Sequence, residues 1–170
     1  MIIKTIGAIL IITACGTFGL ITAATHRKTV KTMRQLLFAI EGISNELRYR
    51  MCSLPDAFRN AAKFCNGIIC SFLNTLADEL EKQIAPDIVC CVDAVLSHTK
   101  DIPMLVISGI LLLGKSLGRF DLEGQLKALE SVYAECSVML ESYSANQDVR
   151  LRSYQTLALC AGAAVVILFI

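Results

Sequence analysis

The sequence predicts an all-α protein, an antiparallel bundle of about six helices between an N-terminal and a C-terminal transmembrane helix. Apolar residues recur at alternating steps of three and four, which is the period of an amphipathic helix. No stretch of useful length alternates between apolar and polar residues, as a half-buried strand would. The charged residues lie in the middle of the chain, and both ends are apolar. These observations divide the chain into segments 5–25, 26–152 and 153–170.

The two apolar ends predict the membrane helices. Neither 5–25 nor 153–170 contains an acidic or basic side chain. A bilayer core of about 30 Å takes roughly 20 helical residues, so the first segment is long enough and the second is at the short limit. Basic residues border both segments on the side of the polar middle: His26, Arg27, Lys28, Lys31, Arg34, Arg150 and Arg152. By the positive-inside rule, we expect the polar middle in the cytoplasm.

A cleaved signal peptide is the alternative interpretation of segment 5–25. Lys4 would be its basic start, and Thr22-Ala23-Ala24 would be a poor cleavage site. The uncharged run is longer than the apolar core of a usual signal peptide, and strong basic charge follows it. Both features favour a retained membrane helix.

Each apolar end is predicted to continue into the polar middle as one long helix. The first helix carries an apolar seam made of Val30, Met33, Leu37, Ile40, Ser44, Leu47 and Met51. The seam of the last helix is made of Leu122, Leu126, Leu129, Tyr133, Cys136, Leu140 and Tyr143. Because both helices leave the same face of the membrane, they must run antiparallel if they pack together.

Four shorter helices are predicted between the long ones. Ser53-Leu54-Pro55-Asp56 ends the first helix and starts the second, since Pro is tolerated in a first helical turn and Ser or Asp can cap its free amides. Turn signals then bound helices over 57–64, over 68–84, from Pro86-Asp87 to Lys100, and over 104–113. The apolar 104–113 is predicted to be the central helix of the bundle. Residues 114–120 form its exit, and Asp121 is the N-cap of the last helix.

Composition excludes several kinds of site. The eight cysteines form no C-x-x-C pair, and only His26 and His98 could complete a zinc site, so we expect no metal and no other cofactor. Free cysteine instead packs as a small hydrophobic residue. A net charge of +1, with no basic cluster beyond the one beside the membrane segment, argues against nucleic acid as a partner.

Gly109 to Ser116 matches the phosphate-binding P-loop pattern letter for letter. A P-loop needs a strand that feeds a flexible loop, whereas the four intervening residues, Ile-Leu-Leu-Leu, favour a buried helix. We interpret the match as chance and predict that the protein is not an enzyme. The alternative function is a membrane-anchored regulator, which would bind nucleotide through Lys115 or sense redox state through Cys90 and Cys91.

Two stretches carry a resemblance to a known family. One is Glu46-Leu47-Arg48-Tyr49 leading to Leu54-Pro55-Asp56-Ala57, and the other is Leu117-Gly118-Arg119-Phe120-Asp121-Leu122-Glu123-Gly124-Gln125. Together with the two apolar ends around a polar helical middle, these stretches make the chain resemble stage III sporulation protein AB of spore-forming Firmicutes. The similarity spans essentially the whole length of the chain. The residues that we expect to matter for structure or interaction are Gly118, Asp121, Gln125, Glu46 and Pro55. The family often has a Trp around 92–96, and this chain has none.

The resemblance implies a non-enzymatic scaffold in the mother-cell membrane, within the channel that joins mother cell and forespore. Its helical domain would be similar to the cytoplasmic domains of inner-membrane platform proteins in type II secretion and type IV pilus systems. The implied partners are the other proteins of the assembly, including its secretion-type ATPase. Self-association into a homo-oligomer is left open.

Overall fold

The computed structural model describes the backbone of residues 2–82, 87–99, 101–117 and 122–169, and the side chains of residues 24–82, 87–99, 101–117 and 122–145. All regular structure in these residues is helical, which confirms the all-α part of the prediction. A π-helix over Glu46–Arg50 continues the first of the α-helices. The α-helices in the described residues are α1 (Ile2–Asn45), α2 (Leu54–Ala62), α3 (Ile68–Lys82), α4 (Ile88–His98), α5 (Met104–Ser116) and α6 (Leu122–Phe169).

The two long helices are each uninterrupted, with 44 residues in α1 and 48 in α6. Their backbones confirm that each apolar end continues into the polar middle as one helix. The chain divides into two compact units, of which one is Met1–Lys28 with Glu141–Ile170 and the other is Thr29–Leu140. The second unit is the helical bundle.

The first unit contains an aromatic contact between its two helical segments. The ring of His26 stands edge-on to that of Tyr143, with the ring centroids 4.8 Å apart. Within the residues whose side chains are described, no helix is both long enough and apolar enough to cross a bilayer. The predicted membrane segments 5–25 and 153–170 lie almost entirely outside those residues.

The helices of the bundle pack on their neighbours in chain order, α2 on α3, α3 on α4 and α4 on α5. Gly109 brings α5 against both long helices, since a Cβ atom at this position would lie 2.8 Å from Leu36 Cδ2 and 3.1 Å from Cys136 Sγ. Arg48 of the π-helix pairs with Glu130 of α6 at 2.7 Å. Because Arg48 follows Leu36 in the chain while Glu130 precedes Cys136, α1 and α6 run antiparallel in the bundle.

The core of the bundle is formed by buried apolar residues from all of its described helices, with the predicted seams of α1 and α6 supplying part of it. Fully burying an aliphatic or aromatic side chain contributes about 1.5–3 kcal/mol, so these positions dominate the stability of the bundle. The largest fully buried side chains are Phe58, Phe72, Met33, Leu36, Ile40, Ile43, Ile69, Leu73, Leu76, Ile110, Leu113 and Leu117.

Three predicted seam positions were wrong. Leu122, at the start of α6, is 38% exposed. Met51 is 76% exposed, because the chain leaves the helix there in a left-handed backbone conformation with φ 49° and ψ 33°. Tyr133 is 41% exposed, and Val132, which the seam omitted, is buried instead. An α-helix has 3.6 residues per turn, so a seam drawn with a strict seven-residue repeat drifts away from the buried face.

Two helix ends also differ from the prediction. α2 ends at Ala62, before the predicted 64, whereas its start at Leu54 lies in the predicted starting stretch, where Ser53 Oγ accepts a hydrogen bond from the Asp56 amide and caps the first turn. α5 continues to Ser116, so the predicted exit at 114 is wrong. Gly114 stays helical at a close contact, where a Cβ atom would lie 3.0 Å from Val92 Cγ2.

Candidate interaction surface at the α1–α2 corner

The α1–α2 corner, residues 46–56, is where the chain reverses direction. α1 ends in the π-helix Glu46–Arg50, and Met51 then adopts its left-handed conformation. A positive φ is uncommon for a residue other than glycine, and π-helical turns occur often at functional sites. Pro55 follows in the first turn of α2, as predicted, behind the Ser53 cap. The corner is therefore a locally unusual backbone fixed by specific residues.

The partly buried side chain of Glu46 connects the π-helix to α2. Its Oε2 accepts a hydrogen bond of 2.8 Å from Asn60 Nδ2 in α2 and lies 3.4 Å from Arg50 Nη1. The thiol of Cys52 donates to the Glu46 carbonyl oxygen at 3.6 Å. Burial, and then the nearby Glu46 carboxylate, raise the pKa of Cys52, which favours the thiol form that donates this hydrogen bond. These contacts connect the π-helix to the following helix.

The outer side of the corner combines aromatic, apolar and basic side chains. Tyr49 is 78% exposed, and the neighbouring Met51 is similarly open to solvent. Arg48 and Arg50 flank Tyr49, and Arg48 reaches across to Glu130 of α6. Tyr, Met and Arg are enriched at protein–protein interfaces, because they combine a large contact area with hydrogen bonding or charge. The arrangement fits a protein-binding surface.

α2 is fixed on its other side by an ion-pair cluster with α3. Arg59 Nη2 lies 2.7 Å from Asp78 Oδ1 and 2.7 Å from Glu81 Oε2. The hydrogen bonds that Arg59 donates to Glu81 and to Asp78 raise the pKa of its guanidinium. The pairs are exposed, so they define the position of the helices more than they add to stability.

Replacing Glu46 by Ala is expected to destabilise the corner by about 1–2 kcal/mol, because the side-chain amide of Asn60 loses its acceptor in a partly buried site. Thermal unfolding of the detergent-solubilised chain, followed by circular dichroism, measures the loss. Glu41→Ala is the matched control, since Glu41 is exposed on α1. Equal melting temperatures for the two variants would contradict the role given to Glu46.

The P-loop-like sequence lies inside α5, where Gly109 to Ser116 are helical. Its two glycines permit close packing, Gly109 against α1 and α6 and Gly114 against Val92 of α4. Its backbone amides are directed along the helix, so they do not form the phosphate-binding loop that the pattern requires. The interpretation of these residues as part of a buried helix is confirmed for the glycines, for Ile110 and for Leu113.

A comparison with protein-family models matches residues 4–170 to stage III sporulation protein AB. The chain belongs to the stage III sporulation protein AB family. No curated protein and no solved structure matches the chain. The family assignment therefore covers nearly the whole chain, including the bundle and both apolar ends.

The residues expected to matter in this member of the family fall in two places. Glu46 and Pro55 both belong to the α1–α2 corner, where Glu46 contacts Asn60 and Pro55 lies in the first turn of α2. Gln125 is partly buried in the first turns of α6, while Gly118 and Asp121 lie outside the described residues. Sequence reasoning missed the π-helix and the partners Asn60 and Glu130, because neither a local pattern nor a spacing indicates contacts across such a distance in the chain.

The cysteines of this family member face different environments. Among the described residues, no three His, Cys, Asp or Glu side chains are grouped so that they could hold a metal ion. Cys90 is exposed, whereas Cys91 and Cys136 are buried. Burial raises the pKa of Cys91, and it raises the pKa of Cys136 to about 11. Adjacent cysteines on a helix point in directions about 100° apart, which separates Cys90 from Cys91.

Thiol labelling of the native protein at pH 8 is expected to modify Cys90 and to leave Cys91 and Cys136 unmodified until the chain is denatured. Peptide mass spectrometry identifies the labelled sites.

Because unfolded Cys has a pKa of about 8.5, the unfolded thiol ionises first as the pH rises. The stabilisation from buried Cys136 is therefore complete below about pH 8.5 and is lost progressively up to about pH 11. Fast native labelling of Cys136 would contradict this packing.

Proposed function

We propose that this stage III sporulation protein is a non-enzymatic membrane scaffold, a platform-type component of the secretion-like channel between mother cell and forespore. The observation that carries the proposal is the family match, which extends over residues 4–170 and so includes the bundle and both apolar ends. The α1–α2 corner supports it, since its exposed Tyr49 and Met51 suit protein contact better than catalysis. In this proposal the bundle holds neighbouring proteins in position and catalyses no reaction.

The scaffold would be anchored in the mother-cell membrane by segments 5–25 and 153–170, with residues 26–152 in the cytoplasm. The absence of charge in both segments and the basic residues beside them support this topology. An amine reagent that cannot cross membranes should modify Lys31 only after the cells are permeabilised. Modification of Lys31 from outside intact cells would overturn the topology.

The partners would be the other proteins of the assembly, including its secretion-type ATPase, and they would bind the α1–α2 corner. A photoreactive amino acid placed at Tyr49 or at Met51 should crosslink to these proteins in sporulating cells. Ser71 is the control, since it is exposed on α3 and remote in sequence from the corner. Crosslinking of equal strength from position 71, or none from 49 and 51, would remove the corner as the partner site.

Nucleotide binding through Lys115 is the competing function, and an equilibrium measurement with ATP separates the two. The helical conformation of Gly109 to Ser116 favours the scaffold, so we expect no saturable ATP binding at micromolar concentration. Micromolar binding that is lost in Lys115→Ala would overturn our choice.

A further inference from the structure

Gly109 identifies one level of the bundle at which both long helices meet α5. A Cβ atom on Gly109 would lie 2.8 Å from Leu36 Cδ2, 3.3 Å from Met33 Cε and 3.1 Å from Cys136 Sγ. Residues 33–36 of α1 and residue 136 of α6 therefore lie at the same height along the bundle. The outward faces of α1 and α6 can therefore be compared at this common height.

Charges of opposite sign lie on those outward faces at this height. Arg34, between Met33 and Leu36, is exposed on α1, and Glu135, next to Cys136, is exposed on α6. Within the described part of the chain, neither side chain forms an ion pair, whereas Arg48 and Glu130 are paired with each other. The unpaired charges are thus available to a partner.

Exposed apolar side chains accompany both charges. Phe38, four residues after Arg34, is 54% exposed, and Val138, three residues after Glu135, is 63% exposed. Residues three or four apart share one face of a helix. Each outward face therefore offers a charge beside a large apolar side chain, which is the composition of a protein contact and not of a purely solvated surface.

The geometry points to a second copy of this chain as the partner of these faces, in a dimer whose two-fold axis is parallel to α1 and α6. Rotation about such an axis keeps every residue at its own height, so Arg34 of each copy can pair with Glu135 of the other where the two outward faces come together. Because α1 and α6 are antiparallel, α1 of one copy also packs antiparallel to α6 of its partner. The contact is closed and self-complementary, with two identical charge pairs and with Phe38 and Val138 supplying apolar area.

An acidic partner protein or an anionic lipid surface would attract only Arg34. A second copy of the chain pairs with both Arg34 and Glu135, since each chain carries both charges at matching heights. The dimer deepens the proposed scaffold function, because two copies that enter one membrane in the same orientation share an axis along the membrane normal.

Sedimentation of the full chain in detergent tests the dimer. Wild-type protein should dimerise, and Arg34→Glu or Glu135→Arg alone should raise the dissociation constant about tenfold, since each creates two like-charge contacts per dimer. The double variant R34E/E135R should restore the wild-type value within about twofold, because the pairs are re-formed with exchanged signs. Lys115→Glu is the control with an equal change of charge at an exposed position on α5, and it should leave dimerisation unchanged.

A monomeric wild type at all concentrations, or a double variant no better than the single ones, would overturn the dimer. Where a charge reversal lowers the helical content, Arg34→Gln and Glu135→Gln replace it, and each should still weaken the dimer. Failure of this test leaves the crosslinking at Tyr49 and Met51 unaffected, so the dimer and the scaffold function can be rejected separately.

Discussion

Phe58→Ala is expected to lower the free energy of unfolding by about 3–5 kcal/mol. The side chain of Phe58 is fully buried on α2, where it belongs to the core formed with α1 and α3. Removal of the ring loses its transfer free energy and leaves a cavity that the surrounding helices fill only in part. Urea denaturation of the detergent-solubilised chain, followed by circular dichroism, measures the change.

Phe64→Ala is the matched control, because Phe64 follows the end of the same helix and is 69% exposed. The same atoms are removed, but little buried surface is lost, so we expect a change within about 0.5 kcal/mol. Similar losses in the two variants would mean that α2 does not pack as described.

Gly109→Leu is expected to destabilise the bundle by about 3 kcal/mol, at the upper end of the usual range for overpacking. Leu is the better helix former by roughly 1 kcal/mol, yet its side chain would have to displace Leu36, Met33 and Cys136 together. For a chain of this length we expect the midpoint of thermal unfolding to fall by about 2–4 °C per kcal/mol.

Gly42→Ala is the control for replacing a helical glycine at a position where the new side chain has room. A Cβ atom at Gly42 would lie 3.4 Å from Ala61 Cβ, which is close to ordinary van der Waals contact. The helix propensity of Ala should then dominate, and the midpoint should stay constant or rise. A stable Gly109→Leu variant would show that α1, α5 and α6 do not converge at this residue.

Much of the fold follows from local sequence. The spacing of Met33, Ile40 and Leu47 identifies the buried face of α1, and the corresponding pattern identifies Ile69, Phe72 and Leu76 in α3. Ser53 acts as the N-cap of α2, as predicted, and α4 opens at the predicted Pro86-Asp87, where Asp87 is found as the N-cap. Such signals depend on interactions within a few residues, so they can be read before the fold is known.

The candidate site was predicted less completely. Glu46 was selected through the family resemblance, which gave no reason for its role, whereas the position of Pro55 in the first turn of α2 followed from local sequence. The π-helix and the left-handed Met51 depend on how α1 turns into α2, and no glycine in the stretch indicates a positive φ. The mispredicted Met51 is therefore also one of the exposed side chains of the corner, beside Tyr49.

The sequence by itself determined the helical class, the apolar ends, many of the core-facing residues and the family, because composition, periodicity and short motifs are properties of single segments. Only the tertiary structure decided that Gly109 packs three helices together, that Glu46 joins Asn60, and that Arg34 and Glu135 share one height. Each of these depends on the registration of helices distant in the chain. That registration is set by the fit of whole side-chain surfaces, which no local pattern encodes.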